Sequence, residues 1–351
     1  MADIIREMEA FDARWDSWDR ALYATAEPNP FASSDFVRHW WSVFHSGRTL
    51  RLVVNSSGVN LTGVPLYEQQ SAKFGFRKIL RYVGDGTANY TEMTCPTVDG
   101  CLDVLGTIVC DDAVDILRFE RVRESSTTFQ ALRTFRNGAF DVVLRQAGTT
   151  YYIEAIDDVD RHLGQLPKKL RYQIRKGITG AGHLGTLHLE SASSLGDIDR
   201  WYETFVGFSV STFRAKGAQS SFEGELQHRF FRGLLADLFV NNRLDSYALK
   251  IDDRPIAIHF GYRTDPTIHY VLTGYDSHLA DLGPGHLLIY NLLKEMIALK
   301  KRRLDLHFAR GSLYKRQWAN RTENVFEALV VRRNLMNKLV LLLRKWYLWR
   351  Q

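Results

Sequence analysis

The sequence predicts an α+β fold, close to α/β in character, with two lobes that each hold a mixed central sheet flanked by helices. The chain has 351 residues, more than one hydrophobic core usually holds, and 45% of them are hydrophobic and 25% charged, as in ordinary folded proteins. Both halves contain β-rich runs bounded by turn residues, with helix-period segments between them. We expect a first domain over residues 1–150, a second over 151–333 and a basic C-terminal helix over 334–351.

The first half predicts a helix followed by a β-hairpin. Residues 28–44 indicate a loop and then a helix, which Ser33 or Ser34 can cap. Two β-rich runs, 50–54 and 61–67, flank the turn-forming sequence Asn-Ser-Ser-Gly. Another strand is expected over residues 77–84.

The second half predicts a meander followed by a crossover. Three β-rich runs, 246–252, 254–263 and 267–276, are joined by turn-forming residues. Gly283-Pro284-Gly285 then opens a helix over 286–301, and a new strand begins at Arg303. A strand, a glycine loop, a helix and a further strand in this order predict a right-handed crossover unit.

Charge and cysteine usage exclude several classes of protein. The net charge is +6, but six basic residues follow Glu327 with no acid among them, so residues 1–327 are neutral overall and a general DNA-binding groove is disfavoured. Three cysteines without a CxxC pair fit reduced thiols in the cytoplasm. The acidic N-terminus does not resemble a secretory signal, and the apolar stretch at 335–349 is too short and too charged to span a bilayer.

The motif search disfavours metal, serine-hydrolase and ATP chemistry. The eleven histidines show no metal-binding spacing, and the sequence has no GxSxG, GxxxxGK[ST] or complete GxGxxG motif. We therefore expect no bound metal.

The glycine loop at residues 283–285 is the first candidate binding element. A glycine loop at a helix start admits a ligand close to the backbone, and the unpaired N–H groups there favour phosphate. Glycine and proline also simply start helices, so the structural interpretation stays open.

Four side chains are candidates for proton transfer. Alternation of side chains along paired strands places His259 beside Tyr270, where the two could transfer protons. The alternative interpretation is a buried histidine packed on a core tyrosine. Asp305 lies on a predicted central strand, where a carboxylate usually has a partner or a function. Arg310-Gly311-Ser312 follows this strand, and Tyr314, at the start of the next helix, is the leading candidate for the general acid.

A cationic helix precedes the second sheet. Six basic residues and no acid lie between Arg161 and Lys176. This helix is either a solvated face or a collar for a phosphorylated ligand.

Several segments together resemble a known family, the CelD/BcsL-like group of GNAT-superfamily acetyltransferase proteins, which is associated with cellulose and exopolysaccharide synthesis and related to the FemAB-like transferases. The resemblance covers nearly the whole chain, and its last two segments are the most specific. The segments are residues 29–41, 62–67, 80–93, 166–177, 273–288 (TGYDSHLADLGPGHLL) and 303–319 (RLDLHFARGSLYKRQWA).

The resemblance implies tandem GNAT-like lobes and acyl transfer from acetyl-CoA or another acyl-CoA to an amine or hydroxyl, often on a sugar. It aligns Leu282, Gly283, Gly285 and His286 with the pyrophosphate loop and Tyr314-Lys315 with a tyrosine-lysine pair. The loop departs from the usual Q/R-x-x-G-x-G/A, since it lacks the leading basic residue and contains Pro284. In this interpretation Tyr314, His259 and Asp305 are catalytic, Lys315 contacts the cofactor, and the acceptor contacts are Tyr270, Asp276, Arg310 and Tyr90.

Two other functions remain open at this point. One is a FemAB-like transferase that uses aminoacyl-tRNA, with the basic helix at 168–176 on the RNA backbone, and the other is a non-catalytic accessory protein of exopolysaccharide synthesis. We expect no other nucleic-acid partner. We expect a cytoplasmic protein with peripheral contact to the inner membrane face, because the helix at 334–351 is basic and amphipathic; packing of that helix on the body is the alternative.

Overall fold

The computed structural model describes residues 2–57, 60–71, 77–111, 114–154 and 156–334, which form two compact units. The first comprises residues up to Thr149 and those from Glu323 onward, and the second runs from Thr150 to Thr322. The predicted helix at 334–351 lies outside the described residues apart from Asn334, as does the tip of the hairpin turn at 58–59. Within the described ranges, no helix has both the length and the apolar character needed to cross a lipid bilayer.

The first unit is a mostly antiparallel sheet with helices packed on it. Its strands follow the order β1-β2-β3-β4-β5-β13, and within this order only the β4–β5 pair is parallel. The elements are β1 (Ala2–Ile5), α1 (Trp15–Tyr23), α2 (Ser34–Phe44), β2 (Thr49–Ser57), β3 (Asn60–Ser71), β4 (Arg77–Tyr82), α3 (Val98–Cys110), β5 (Ile116–Arg123), α4 (Thr127–Thr134) and β13 (Arg321–Arg332).

The predicted helix and hairpin of this unit are confirmed. Ser33 caps α2, because its hydroxyl accepts a hydrogen bond from the Phe36 N–H at 3.3 Å. Strands β2 and β3 pair in antiparallel register up to Ser57 and Asn60. Trp40 on the apolar face of α2 stacks on Tyr67 of β3, with ring centroids 5.2 Å apart, so the predicted stripe does face the sheet.

The second unit contains two sheets. The strand β6 (Phe140–Glu154) brings the chain into this unit, where its end pairs with β12, and β12 pairs in parallel with β10. The other sheet has the antiparallel order β11-β9-β8-β7. The remaining elements are α5 (Val159–Gln165), α6 (Lys168–Gly182), β7 (Leu187–Ser191), α7 (Leu195–Arg214), α8 (Glu225–Val240), β8 (Leu244–Ile251), β9 (Arg254–Tyr262), β10 (Thr267–His269), β11 (Leu272–Tyr275), α9 (Pro284–Ala298), β12 (Arg303–Asp305) and α10 (Leu313–Trp318).

The predicted three-stranded meander is only partly present. Strands β8 and β9 form the expected hairpin, but the third run divides into two short strands. β10 joins β12 in one sheet, whereas β11 joins β9 in the other, so the chain changes sheets at Tyr270 and Val271. The change begins where Gly261 touches the neighbouring backbone, since a Cβ at this position would lie 1.9 Å from the His269 carbonyl oxygen.

The predicted crossover is also present, in a shorter form. β10 leads through the glycine loop into α9 and then into the parallel strand β12. The expected strand from Arg303 to Phe308 ends at Asp305, and His307 has a positive φ of 62°. The apolar face of α9, with Leu292, Leu293 and Met296 fully buried, lies in the core of this unit.

The division of the chain differs from the expected domains at one stretch. Residues 323–333, expected in the second domain, belong to the first unit, because β13 pairs antiparallel with β5 from Val325 to Val331. Leu329 and Val331 also pack with Ile79 and Ile116 in a buried cluster of the first unit. The sequence places a boundary near residue 150, but it does not reveal that the chain returns.

Candidate active site

A cavity of about 720 Å³ lies at the N-terminal end of α9, within the second unit. Its wall combines three parts of the chain: the first half of α6, strand β11, and the loop that opens α9. Tyr314 of α10 and Tyr270, at the point where the chain changes sheets, complete the lining. The cavity is large enough for part of a cofactor and an acceptor group.

The first turn of α9 offers fewer amide donors than an ordinary helix start. Gly283 holds the left-handed conformation with φ 64°, and Pro284, the first helical residue, has no N–H. The N–H groups of His286 and Leu287 both donate to the Gly283 carbonyl oxygen, at 2.9 and 3.1 Å. Among the described residues of this turn, the Gly285 N–H is therefore the amide without an internal acceptor, and it is available to a ligand.

Tyr314 is fixed in the cavity by two hydrogen bonds. The cap of α10 orients its helix, since the Ser312 hydroxyl accepts from the Lys315 N–H at 3.3 Å. The Tyr314 hydroxyl donates to the Gly285 carbonyl oxygen at 2.7 Å and lies 3.3 Å from the Tyr270 hydroxyl. Because a phenol has one proton, Tyr270 is the donor in the second bond.

Tyr314 stays protonated at every physiological pH. Burial raises the pKa of Tyr314 well above its usual value, and the neighbouring Tyr270 raises it further. Burial also raises the pKa of Tyr270. Gly285 makes the Tyr314 position possible, because a Cβ there would lie 3.2 Å from the Tyr314 hydroxyl. Both phenols therefore stay neutral, with the Tyr314 proton directed at the Gly285 carbonyl oxygen and the Tyr270 proton at the Tyr314 hydroxyl.

His286 lies against Tyr314 on the same wall. The two ring centroids are 4.8 Å apart, and the Trp318 Nε1–H donates to His286 Nδ1 at 3.0 Å. Burial lowers the pKa of His286 to about 4. The imidazole is therefore neutral near pH 7.

The basic helix α6 borders the cavity because two glycines bring it close to the loop. A Cβ at Gly177 would lie 2.2 Å from the Leu282 carbonyl oxygen, and one at Gly180 would lie 2.8 Å from the Leu282 side chain. This contact places Lys169 and Lys176 in the cavity wall.

The charge of the cavity wall is positive. Lys216 joins the two α6 lysines there, and Asp281 is the acidic residue among the described residues of the lining. The wall thus carries three positive charges against one negative charge, which suits an anionic ligand.

The structure brings together five of the residues predicted for the site. Tyr314, Tyr270 and His286 line the cavity together with Gly283 and Gly285. They come from separate places in the sequence, joined by the crossover and the following helix. The other predicted residues lie elsewhere.

His259 is next to the cavity but does not line it. Its ring is fully buried between Tyr247 and Tyr270, at centroid distances of 6.2 and 5.4 Å. The predicted proximity to Tyr270 is thus present, but burial lowers the pKa of His259 to about 3. The structure makes it a packing partner of Tyr270 instead of a base that touches substrate.

Asp305 and Lys315 lie outside the cavity wall. Asp305 is buried, and its Oδ1 accepts from the His307 backbone N–H at 2.7 Å. Lys315 Nζ lies 3.4 Å from the carbonyl oxygens of His307 and Phe308, and burial lowers the pKa of Lys315 to about 8. Both residues contact the chain around the end of β12 and neither lines the cavity, so their catalytic and cofactor roles stay predictions.

Asp305 also belongs to a cluster whose donor atoms could hold a metal ion. Its Oδ2 lies 3.8 Å from His269 Nδ1 and 3.7 Å from His307 Nδ1, and donor atoms of the three residues lie within 4.8 Å of one another. His269 is the last residue of β10 and His307 follows the end of β12, so sequence spacing gave no sign of this group. None of the three lines the cavity, and the cluster has no part in the chemistry proposed below.

Four further predicted residues have structural positions. The Leu282 carbonyl oxygen packs on Gly177, and Asp276 caps the turn before the glycine loop by accepting from the His278 N–H at 3.0 Å. Arg310 is exposed and away from the cavity. Tyr90 belongs to the first unit, where it is fully buried, and cannot contact an acceptor in this cavity.

Sequence reasoning missed several lining residues. Thr273, Gly274 and Tyr275 of β11 line the cavity, because this strand leaves β10 and runs along the opening. Their position directly before the glycine loop was the available signal. Lys216, which follows α7, has no motif around it and could not be found from the sequence.

Comparison with known proteins identifies the domain that carries this site. Residues 168–316 match the family model described as acetyltransferase (GNAT) domain. No curated protein sequence matches the chain significantly. The matched residues include most of the cavity wall described above.

Solved structures share the fold at low sequence identity. FemX superposes with a TM-score of 0.61 at 10% identity, over 93% of this chain and 96% of that one. A conserved protein of unknown function from Bacteroides thetaiotaomicron gives 0.57 at 10% identity, over 95% and 100% of the two chains. The C-terminal DUF2156 domain of an Agrobacterium fabrum protein assigned as a lysylphosphatidylglycerol synthetase gives 0.50 at 9% identity, over 94% of each.

At these identities the structural likeness establishes the fold alone. The predicted α+β fold, with sheets flanked by helices, is confirmed, and residues 168–316 are an acetyltransferase domain of the GNAT type. The chain is therefore an acyltransferase.

Proposed function

We propose that this GNAT-type acyltransferase moves an acyl group, most simply acetyl, from a coenzyme A thioester to an amine on a sugar or polysaccharide precursor. The observation that carries the proposal is the Tyr314 hydroxyl, held over the first turn of α9 inside a cavity with a basic wall. A protonated phenol and a cationic wall are what a thioester with a phosphorylated carrier requires.

The donor proposal rests on charge. Coenzyme A carries a diphosphate and a further phosphate, and Lys169, Lys176 and Lys216 line the cavity. Pro284 has no N–H, and the His286 N–H already donates to the Gly283 carbonyl oxygen. Lysine side chains therefore take over much of the phosphate binding that the N–H groups of a glycine loop usually provide. The Gly285 N–H contributes the remaining backbone contact.

The chemistry is a direct transfer. The acceptor nitrogen attacks the thioester carbonyl carbon, the carbonyl electrons move to oxygen, and the resulting tetrahedral intermediate collapses with cleavage of the carbon–sulfur bond. The proton lost by the nitrogen is finally held by the thiol. Tyr314 donates a hydrogen bond to the departing sulfur and so stabilises the thiolate, whose ordinary pKa lies far below that of the buried phenol.

The lining of the cavity favours an amine acceptor. Among the described residues of the lining, His286 is the imidazole that could act as a base, but its Nδ1 accepts from Trp318 and burial lowers its pKa to about 4. An amine is partly neutral at this pH and needs no strong base, whereas a hydroxyl does. Tyr172, Tyr275 and Gln173 give the aromatic and polar surface that a sugar ring would contact.

The cellular setting follows from the sequence resemblance. The resemblance to CelD/BcsL-like proteins supports a role in cellulose or exopolysaccharide synthesis in the cytoplasm, and residues 334–351 would contact the membrane surface. These assignments are part of the proposal.

A second donor class, aminoacyl-tRNA, is favoured by one observation. The basic face of α6 continues outside the cavity, where Lys168 and Arg175 are exposed and do not line it. A phosphodiester backbone would engage such residues, while a coenzyme in the cavity would not. The fold shared with FemX is compatible with this alternative.

A matched pair of variants separates the two donors. We expect acetyl-CoA to stabilise the wild-type protein in a thermal-shift assay, by about 2.7 kcal/mol at a hundred times its Kd. Lys176→Gln should weaken acetyl-CoA binding roughly tenfold in calorimetry, since a charged contact contributes about 1.5–3 kcal/mol, while Arg175→Gln on the same helix should bind as the wild type does. Equal weakening of aminoacyl-tRNA binding by both variants, with no binding of acyl-CoA, would replace the first donor by the second.

A further inference from the structure

We propose that His286 is a second catalytic residue of this site: its neutral imidazole donates the Nε2–H to the carbonyl oxygen of the acyl group, and Trp318 is the positioning residue that fixes this tautomer. The inference rests on the proposed function, because it assigns a role within the same acyl transfer. It replaces the phosphate contact that the sequence resemblance implies for His286.

The indole of Trp318 determines where the imidazole proton lies. An indole Nε1–H can only donate, and it points at His286 Nδ1 from 3.0 Å. Nδ1 must therefore accept, and a neutral imidazole that accepts at Nδ1 carries its proton on Nε2. Trp318 is fully buried, which keeps the indole in this position.

Nε2 of His286 forms no hydrogen bond with another described protein group, and His286 belongs to the cavity wall. Some side-chain nitrogens and oxygens of the described chain are buried without a hydrogen-bond partner, and His286 Nε2 is not one of them. An Nε2 without a partner must therefore be accessible to solvent. A buried, oriented N–H that faces an open cavity is available to a ligand.

The donor lies next to the proposed reacting centre. The ring centroids of His286 and Tyr314 are 4.8 Å apart on the same cavity wall, and the proposal places the thioester sulfur at the Tyr314 hydroxyl and the carbonyl oxygen at the imidazole. The two groups then divide the work: Tyr314 stabilises the departing sulfur, and His286 stabilises the negative oxygen of the tetrahedral intermediate. No proton leaves His286 in this step.

The surroundings keep the imidazole neutral. Burial lowers the pKa of His286 to about 4, and a Trp318 bond to the neutral form acts in the same direction. The titratable and charged groups that share its cavity are Lys169, Lys176, Lys216, Asp281, Tyr172, Tyr275, Tyr270 and Tyr314. The three lysines oppose an additional positive charge, so the donor is expected to be unchanged from about pH 5 upward.

The first test reads the proton directly and needs no activity. Imidazole ¹⁵N NMR of the full chain at pH 7 should show His286 as the neutral Nε2–H tautomer, and Trp318→Phe should mix the two tautomers and raise the pKa of His286 toward 6.5. An Nδ1–H tautomer or an imidazolium in the wild-type protein would overturn the proposal.

The second test is kinetic. His286→Leu should lower kcat roughly 10²–10³-fold with KM changed less than about threefold, the usual effect of removing one oxyanion donor. His286→Gln, which keeps an N–H donor, should recover part of this loss. A rise in KM with unchanged kcat would mean that His286 binds phosphate, and the proposal would be wrong.

The pH profile of Trp318→Phe shows whether Trp318 fixes the tautomer of His286 or only packs against its ring. Relative to wild type at each pH, the variant should be several-fold slower at pH 8 and should recover as the pH falls below the pKa that NMR gives for His286 in the variant, since the imidazolium again carries an Nε2–H. A ratio that is flat with pH indicates packing alone and contradicts the proposal. Failure of the proposed function looks different: acyl-CoA would not react at all, while the NMR result would remain as expected.

Discussion

The Tyr314 hydroxyl illustrates how one backbone carbonyl determines the direction of a proton. Its single hydrogen is committed to the Gly285 oxygen at 2.7 Å, which makes Tyr270 the donor to Tyr314. A bound thioester sulfur must compete with this carbonyl for the same proton.

Tyr314→Phe tests this residue directly. We expect kcat to fall roughly 10²–10⁴-fold while acetyl-CoA affinity changes little, because the hydroxyl acts mainly on the departing sulfur. Turnover with acetyl-CoA and an amino sugar is the measurement. Tyr290→Phe on α9 is the control, since Tyr290 lies outside the cavity lining and its ring contacts Lys294. Wild-type turnover in Tyr314→Phe would remove this residue from the mechanism.

At the level of single residues, the sequence indicates which side chains have suitable chemistry for the site better than it indicates which side chains are buried. Tyr314 and Gly285 could be predicted because a glycine loop and the start of a helix have local signatures. His259 and Tyr90 could not be excluded, since nothing local indicates that both side chains are fully buried. Their environment depends on rings and guanidinium groups far away in the chain, such as Arg123 above Tyr90 at 4.5 Å.

Helix α6 shows how an element acquires a function through its smallest residues. The glycines Gly177 and Gly180 form the contact with the Leu282 region, and the lysines on the neighbouring turns thereby reach the cavity wall. The sequence pattern indicated a cationic helix but left open whether its charges were functional. The close contact between helix and loop, invisible in the pattern, decides that Lys169 and Lys176 line the cavity.

Gly177→Ala is expected to disturb this contact. The added Cβ would lie 2.2 Å from a backbone oxygen, so α6 or the loop must move, at a cost of about 1–3 kcal/mol in the free energy of unfolding. Acetyl-CoA binding should weaken as well, because the lysines move with the helix. Urea denaturation and calorimetry measure the two effects.

Gly182→Ala is the matched control for this prediction. Gly182 belongs to the same helix, and a Cβ there would meet no atom within 4 Å. The variant should be neutral or up to about 1 kcal/mol more stable, as expected for alanine in a helix. Equal stability of the two variants would contradict the proposed helix–loop contact.

The strands show where element prediction fails. Composition predicts β structure throughout residues 267–276, and both β10 and β11 are indeed strands. β11 pairs with the nearby strand β9, whereas β10 pairs with β12 through partners more than thirty residues apart, such as Ile268 with Leu304. Period and propensity carry no information about that choice.

At the scale of the whole chain, the first unit is built from two distant segments. Residues 1–149 supply most of its sheet, and β13 returns to pair with β5. Val325, Ala328 and Val330 of β13 are fully buried. Two lobes could be predicted from chain length. The return of the chain to the first unit through β13 could not, because no local sequence pattern indicates which strand β13 pairs with.

We expect a fragment of residues 1–149 not to fold cooperatively. Without β13, the edge of β5 and the apolar surface that β13 covers are exposed, which destabilises the fragment and favours aggregation. Far-UV circular dichroism during urea titration is the measurement. Joining residues 321–334 through a flexible linker should restore a cooperative transition, and a cooperative transition in the fragment without them would refute the expectation.

The contact between Gly261 and the His269 carbonyl fixes the point at which the two sheets of the second unit diverge. The two sheets separate from a point where main chain touches main chain, so their divergence does not depend on the bulk of any side chain. Side chains along the opening can therefore be exchanged without rebuilding the scaffold. Substitutions of the side chains that line the cavity are therefore expected to change what it binds more than they change the fold.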